Sequence, residues 1–140
     1  MRIEVVLKKT SEKDIEDGII EIPEGVETIG RYAFDGLKGV EKIIFPSTLK
    51  KVDNYAVDDC SKLREVEFRS GDFFVSSETT PFQIFHCCPK LSKILLAPAH
   101  GNIDESTFML ASQISKLMTK INNKPCDLSI REPKTNENTL

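Results

Sequence analysis

The sequence predicts an α+β repeat fold: a short solenoid with one parallel strand per unit of about 23 residues, closed by a C-terminal capping helix. Three observations predict it. "EGVETIGRYAFDGLKGVEKIIFP" (24–46) and "STLKKVDNYAVDDCSKLREVEFR" (47–69) are both 23 residues long and stay in step, Tyr32-Ala33 answering Tyr55-Ala56 and Val40 answering Leu63. Short apolar runs recur at the same period. Further on, the apolar spacing changes to steps of three and four. A unit this small cannot bury its apolar face alone, so a fixed period of this kind means stacking.

The first element is "RIEVVLKK", a strand or half-repeat that caps the stack within residues 1–18. The repeats follow over 19–98. Their strands are "GIIEIP" (18–23), "EKIIFP" (41–46), "REVEFR" (64–69) and "SKILLA" (92–97). Ile20, Ile43, Val66 and Ile94 align, and two places on Ile22, Phe45, Phe68 and Leu96 align. Residues two apart share one face of a strand, so both rows point into the core. Pro23 and Pro46 end their strands because proline cannot donate to a ladder.

Other positions keep register as well. Val26 matches Leu49; Ile29 matches Val52 and Val75; Phe34 matches Val57 and Phe85; Val40 matches Leu63 and Leu91. The third unit is five residues longer, and the excess falls in "FFVSSETTPFQ" (73–83), whose Ser, Thr and Pro content reads as a loop.

Residues 99–123 hold the closing helix. Thr107, Leu110-Ala111, Ile114, Leu117-Met118 and Ile121 form an amphipathic stripe. Asp104 or Ser106 serves as N-cap, and Asn122-Asn123 with Pro125 ends the run. A second use of this helix, as a partner-binding element, rests on Phe108 and Met109 outside the stripe. The tail, 124–140, is polar and reads as flexible, with Leu128 and Ile130 hinting at a short extra strand.

These motifs carry a resemblance. "IPEGVETIGRYAFDGLKGVEKIIFP" resembles the BspA-type leucine-rich repeat, an apolar strand ending in Pro followed by "I-G-x-x-A-F-x-x-C-x-x-L". Ile29-Gly30, Ala33-Phe34 and Val40 match, as do Val52, Tyr55-Ala56, Cys60 and Leu63, and then Phe85, Cys88 and Leu91. Leu37 stands in place of Cys, Val57 in place of Phe, and Arg69 where Pro would sit. The resemblance implies a right-handed solenoid used for protein–protein contact, in many members displayed on microbial surfaces.

Composition narrows the function. Charged residues make up 29% of the 140-residue chain and the net charge is −3, which argues against nucleic acid as partner. No apolar run reaches bilayer length, and the charged start "MRIEVVLKKTSEK" is unlike a secretory signal, so a cytoplasmic protein is expected. Cys60, Cys87, Cys88 and Cys126 match no zinc spacing and read as reduced thiols.

Catalytic signals are sparse. Cys60 and Cys88 share the ladder position of Leu37 and read as small buried hydrophobes. His86 and Cys87 are adjacent, which raises a thiol-dependent activity. Neighbours in sequence seldom face each other, however, and no orienting third residue presents itself. His86 and His100 lack metal-ligand spacing, and the acidic clusters Asp58-Asp59 and Asp14, Glu16, Asp17 lack that of a calcium loop. No cofactor and no metal is expected.

The expected site is the outward face of the strands, taken as the concave face of the sheet. It comprises Ile19, Glu21, Lys42, Ile44, Glu65, Glu67, Lys93 and Leu95. Ile44, Leu95 and Ile19 make it partly apolar and ringed by charge, as contact sites are. The function expected is non-enzymatic protein recognition by this face, with the 73–83 loop as a secondary contact and the partner's identity open. Two alternatives stand beside it. One is a structural piece of a larger repeat assembly that self-associates through its ends. The other is a thiol-dependent enzyme at His86 and Cys87.

Overall fold

The computed structural model describes residues 5–73, 84–98 and 127–130, with Met109, Ser112, Gln113, Ser115, Lys116 and Thr119. The strands, in chain order, are β1 (Val6–Leu7), β2 (Ile19–Glu21), β3 (Thr28–Ile29), β4 (Phe34–Asp35), β5 (Lys42–Phe45), β6 (Lys51–Val52), β7 (Val57–Asp58), β8 (Glu65–Phe68), β9 (Phe85–His86), β10 (Lys93–Leu96) and β11 (Asp127–Ile130). They form three parallel sheets: β11-β10-β8-β5-β2, β1-β3-β6 and β4-β7-β9.

The main sheet contains the four expected apolar runs. Ile20, Ile43, Val66 and Ile94 lie opposite one another in register, as do Phe45, Phe68 and Leu96. All of these are buried. One strand per unit was expected, yet the units that open with β2 and β5 have three each. The extra strands are two residues long. That is too short for a period-two pattern to show, and their hydrogen-bond partners lie a whole repeat away.

The turns repeat as faithfully as the strands. Val26 N–H donates to Pro23 O and Leu49 N–H to Pro46 O, both at 3.3 Å. Leu63 N–H donates to Cys60 O and Leu91 N–H to Cys88 O, both at 3.2 Å. Gly36, Asp59 and Cys87 occupy one corner position and have φ of 67°, 55° and 54°. Glycine enters this left-handed region freely, whereas other residues do so at a cost of about 1 kcal/mol.

The core runs the length of the stack. Phe45 stacks on Phe68 at 4.7 Å and Phe68 on Phe73 at 5.8 Å, while Phe34 meets Phe45 edge-on at 6.2 Å. Phe73 was expected to open the loop but is fully buried, because the apolar column beyond Phe68 needs a ring to cover it. Residues 74–83, with Val75 and the rest of that loop, lie outside the described residues. Leu37, Cys60 and Cys88 form a buried ladder, as their repeat position implies. A hydrogen bond with Cys60, and burial after it, push the Cys88 thiol well above its ordinary range. Among the described residues no buried side-chain nitrogen or oxygen lacks a partner.

At the N-terminal end, Thr10 donates to Ala33 O through both its N–H (2.8 Å) and its hydroxyl (2.7 Å). The Glu12 carboxylate accepts from the N–H groups of Lys38 and Gly39. Ile15 packs against the core from the same segment. These contacts satisfy backbone groups at an otherwise open end.

At the other end the short extra strand hinted at by Leu128 and Ile130 is present, within a tail otherwise expected to be flexible. Residues 127–130 form β11, parallel to β10, with Leu128 opposite Ile94 and Ile130 opposite Leu96. An uncovered β10 would present a row of unpaired backbone groups, and β11 pairs with them. Most of the expected helix at 99–123 lies outside the described residues, as do His100, Phe108 and Cys126. The six residues described within it, from Met109 to Thr119, have helical backbone. No helix among the described residues is long and apolar enough to cross a membrane.

Candidate functional site

The outward face of the main sheet consists of two rows. One runs Ile19, Lys42, Glu65, Lys93, and the other Glu21, Ile44, Glu67, Leu95, each residue in register with the next. All eight expected residues therefore share one surface. Their accessibility differs from expectation. Ile44 is only 8% exposed and Glu67 3%, whereas Ile19 is 36% exposed and Leu95 is half-buried.

Charge explains the difference. Lys42 Nζ bonds Glu65 at 2.8 Å and reaches Glu67 at 3.5 Å. Lys93 reaches Glu65 at 3.9 Å from the other side. Arg69 pairs with Glu67 at 3.4 Å and with Glu21 at 3.6 Å. Since Ile44 lies on the strand between Glu21 and Glu67, the guanidinium spans it. Ile44 is thus not an exposed anchor. It is an apolar floor under an ionic lattice, where long side chains lay their stems over apolar surface.

The lattice holds its charges firmly. Burial disfavours the charged Lys42, but the hydrogen bond and charge of Glu65, with those of Glu67, outweigh it and hold the lysine above 10.5. Beside this lattice an open groove of about 320 Å³ is lined by Asp17, Gly18, Ile19, Glu41, Lys42, Arg64, Glu65, Ser92 and Lys93. Four of the eight expected residues line it.

A second cluster lies at the corner after β9. Its backbone positions were not expected to bring these side chains together. His86 Nδ1 is 2.8 Å from Asp58 Oδ1, and His86 Nε2 is 3.8 Å from Cys87 Sγ. The Tyr55 ring meets the imidazole edge-on at 5.1 Å. Asp58 is the third residue that the linear sequence did not offer, and it is the register partner of His86. Cys87 follows at the left-handed corner, with φ of 54°. Asp58, His86 and Cys87 present ligand atoms within 4.8 Å of one another. Next to them Tyr32 stacks on Tyr55 at 6.2 Å, with the Arg31 guanidinium over both rings.

A family model described as BspA type leucine-rich repeat region matches residues 12–127, in six copies. The chain belongs to this family. No curated protein and no solved structure matches it.

The family pattern shows where each site comes from. In this BspA-type chain the strand-ending prolines, Pro23 and Pro46, are followed at the same position by Arg69, whose N–H donates to Phe45 O at 3.1 Å. That departure supplies the guanidinium over Ile44, and it was the sequence signal for a residue missing from the expected site. Asp58 was legible in the same way. Alignment of the repeats places it opposite His86 once the five-residue excess of the third unit is allowed for. The family match extends beyond 19–98 in both directions.

Proposed function

We propose that this BspA-type chain is a protein-recognition module that binds through the outer face of its main sheet, with no catalysis at that face. The observation that carries the reading is the in-register lattice of Lys42, Glu65, Glu67, Arg69 and Lys93 across adjacent strands, bordered by exposed Ile19 and half-buried Leu95. Fixed charges give orientation and association rate, and a few apolar contacts give residence time. Ile19 and Leu95 take the anchoring role, and Ile44 supports them from below. The partner surface is a protein segment of mixed charge with apolar residues spaced to meet those two. In this reading the repeats form a solenoid in the cytoplasm.

Affinity capture from host lysate tests it, with wild type beside an Ile19→Glu, Leu95→Glu double variant of unchanged circular dichroism. A partner retained by the wild type and lost by the variant supports the sheet face. A partner held equally by both sinks it.

A specific observation favours one second reading, a structural piece that stacks on another repeat unit. Val5 and Val6, at 46% and 40% exposure, and Ile19 lie on or beside the edge strands β1 and β2 of the same end. Edge strands with apolar side chains invite pairing. Light scattering over a concentration series separates the readings, because Val6→Lys disrupts end-to-end association and leaves Leu95 untouched.

A further inference from the structure

We propose that Cys87 is a reactive thiol, paired with His86 as proton acceptor and Asp58 as positioning residue, and that it exchanges with small disulfides to carry a reversible S-thiol adduct. This inference is independent of the sheet-face reading and concerns a different sheet.

The geometry carries it. A nucleophile, a base and a group that orients the base make the arrangement that activates a thiol. Here Sγ faces Nε2 at 3.8 Å while Nδ1 meets Asp58 Oδ1 at 2.8 Å. The tautomer that satisfies both contacts has its proton on Nδ1, donated to the carboxylate, and a free lone pair on Nε2 turned to the thiol. The Tyr55 edge contact at 5.1 Å holds the ring plane. Catalytic hydrogen bonds are often long in unliganded sites and tighten only once substrate is bound.

Accessibility and backbone agree. Cys87 and His86 are exposed, whereas Cys60 and Cys88 are buried. The corner that Cys87 occupies has φ of 54°, and the equivalent residues are Gly36 and Asp59. Glycine fits that conformation with no steric cost, and aspartate tolerates it better than most residues. Cysteine has no such advantage there, and strained residues of this kind cluster at working sites.

A metal ion fits the cluster less well. The cluster offers three ligand atoms, with His86 Nδ1 already engaged by Asp58, whereas a structural zinc site takes four.

The reaction balances without an outside reductant. The Sγ proton passes to Nε2, and the thiolate attacks one sulfur of a small disulfide. The old S–S bond breaks as the new one forms on Cys87. The departing thiolate takes the proton back from His86. One thiol and one disulfide give one mixed disulfide and one thiol.

The test uses 2,2′-dithiodipyridine on the native chain near pH 7, with the adduct located by peptide mass spectrometry. Cys87 is expected to react about tenfold or more faster than N-acetylcysteine, the scale of a modest general-base contribution. His86→Gln brings the rate down to that of N-acetylcysteine. Asp58→Asn lowers it, and Asp58→Glu, which restores a carboxylate to the imidazole, recovers part of the loss. The proposal is overturned if Cys87 reacts no faster than N-acetylcysteine, a comparison that needs no variant. It also fails if folded His86→Gln keeps the wild-type rate. Protection of Cys87 by one equivalent of Zn²⁺ would overturn it in favour of a metal site.

Discussion

Arg69 directly follows β8 and Glu21 ends β2, two repeats earlier, yet their side chains meet at 3.6 Å across the strand that carries Ile44. Arg69 also holds Glu67, whose carboxylate is almost fully buried. The ionic lattice is therefore part of how the sheet face is closed as well as part of what it displays.

Arg69→Ala is expected to destabilise the fold by about 1–3 kcal/mol, because it uncovers Ile44 and leaves Glu67 with one cationic partner fewer. Arg64→Ala is the control. Its pair with Glu41 is largely exposed and is expected to contribute within about 0.5 kcal/mol. Urea unfolding of the two variants beside wild type compares them directly, and equal midpoints would refute the distinction.

Stability should fall on the alkaline side. The folded pKa of Lys42 lies above 10.5, so its contribution is complete below the unfolded value and is lost as pH rises through the folded one. Thermal melts between pH 9 and pH 12 should show a falling Tm, with a shallower fall in Lys42→Met. A Tm that is flat or rising over this range would contradict the assignment.

The left-handed corner makes a separate prediction. A Cβ at Gly36 would meet nothing within 4 Å, so Gly36→Ala tests backbone conformation alone. A loss of about 1 kcal/mol is expected. Asp59→Gly at the equivalent corner is expected to be neutral or slightly stabilising, since its ion pair with Lys38 is exposed on both sides. Chemical denaturation of both variants reads the sign.

The aromatic column should tolerate truncation poorly. Phe68 is stacked between Phe45 and Phe73, so Phe68→Ala is expected to cost about 3–5 kcal/mol. That is a large share of the ~5–15 kcal/mol stability of an ordinary domain. A double-mutant cycle between Phe45 and Phe68 should show a coupling of about 0.5–1.5 kcal/mol. Coupling near zero would mean that the rings only fill space.

The repeat register was legible because it is written in side-chain size. Ile20, Ile43, Val66 and Ile94 can stack only if the strands are parallel and in step, and any one-residue slip would turn them outward. Direction was legible too, and all eight expected site residues lie on the outward face. Exposure was not. Ile44 is buried where Arg69, a residue 25 positions on in the chain, bridges Glu21 and Glu67 on the strands to either side, and strand alternation has no term for a side chain reaching across from another repeat.

The sequence alone determined the period, the family, the core rows and the buried place of Cys60 and Cys88. Each follows from local pattern repeated at fixed spacing, and hydrophobic burial acts on every copy alike. Only the tertiary structure decided the two short flanking sheets, the pairing of 127–130 with β10, the burial of Ile44 and the meeting of Asp58, His86 and Cys87. These depend on hydrogen bonds and charges between residues far apart in the chain, whose distances are set by the stacking of one unit on the next.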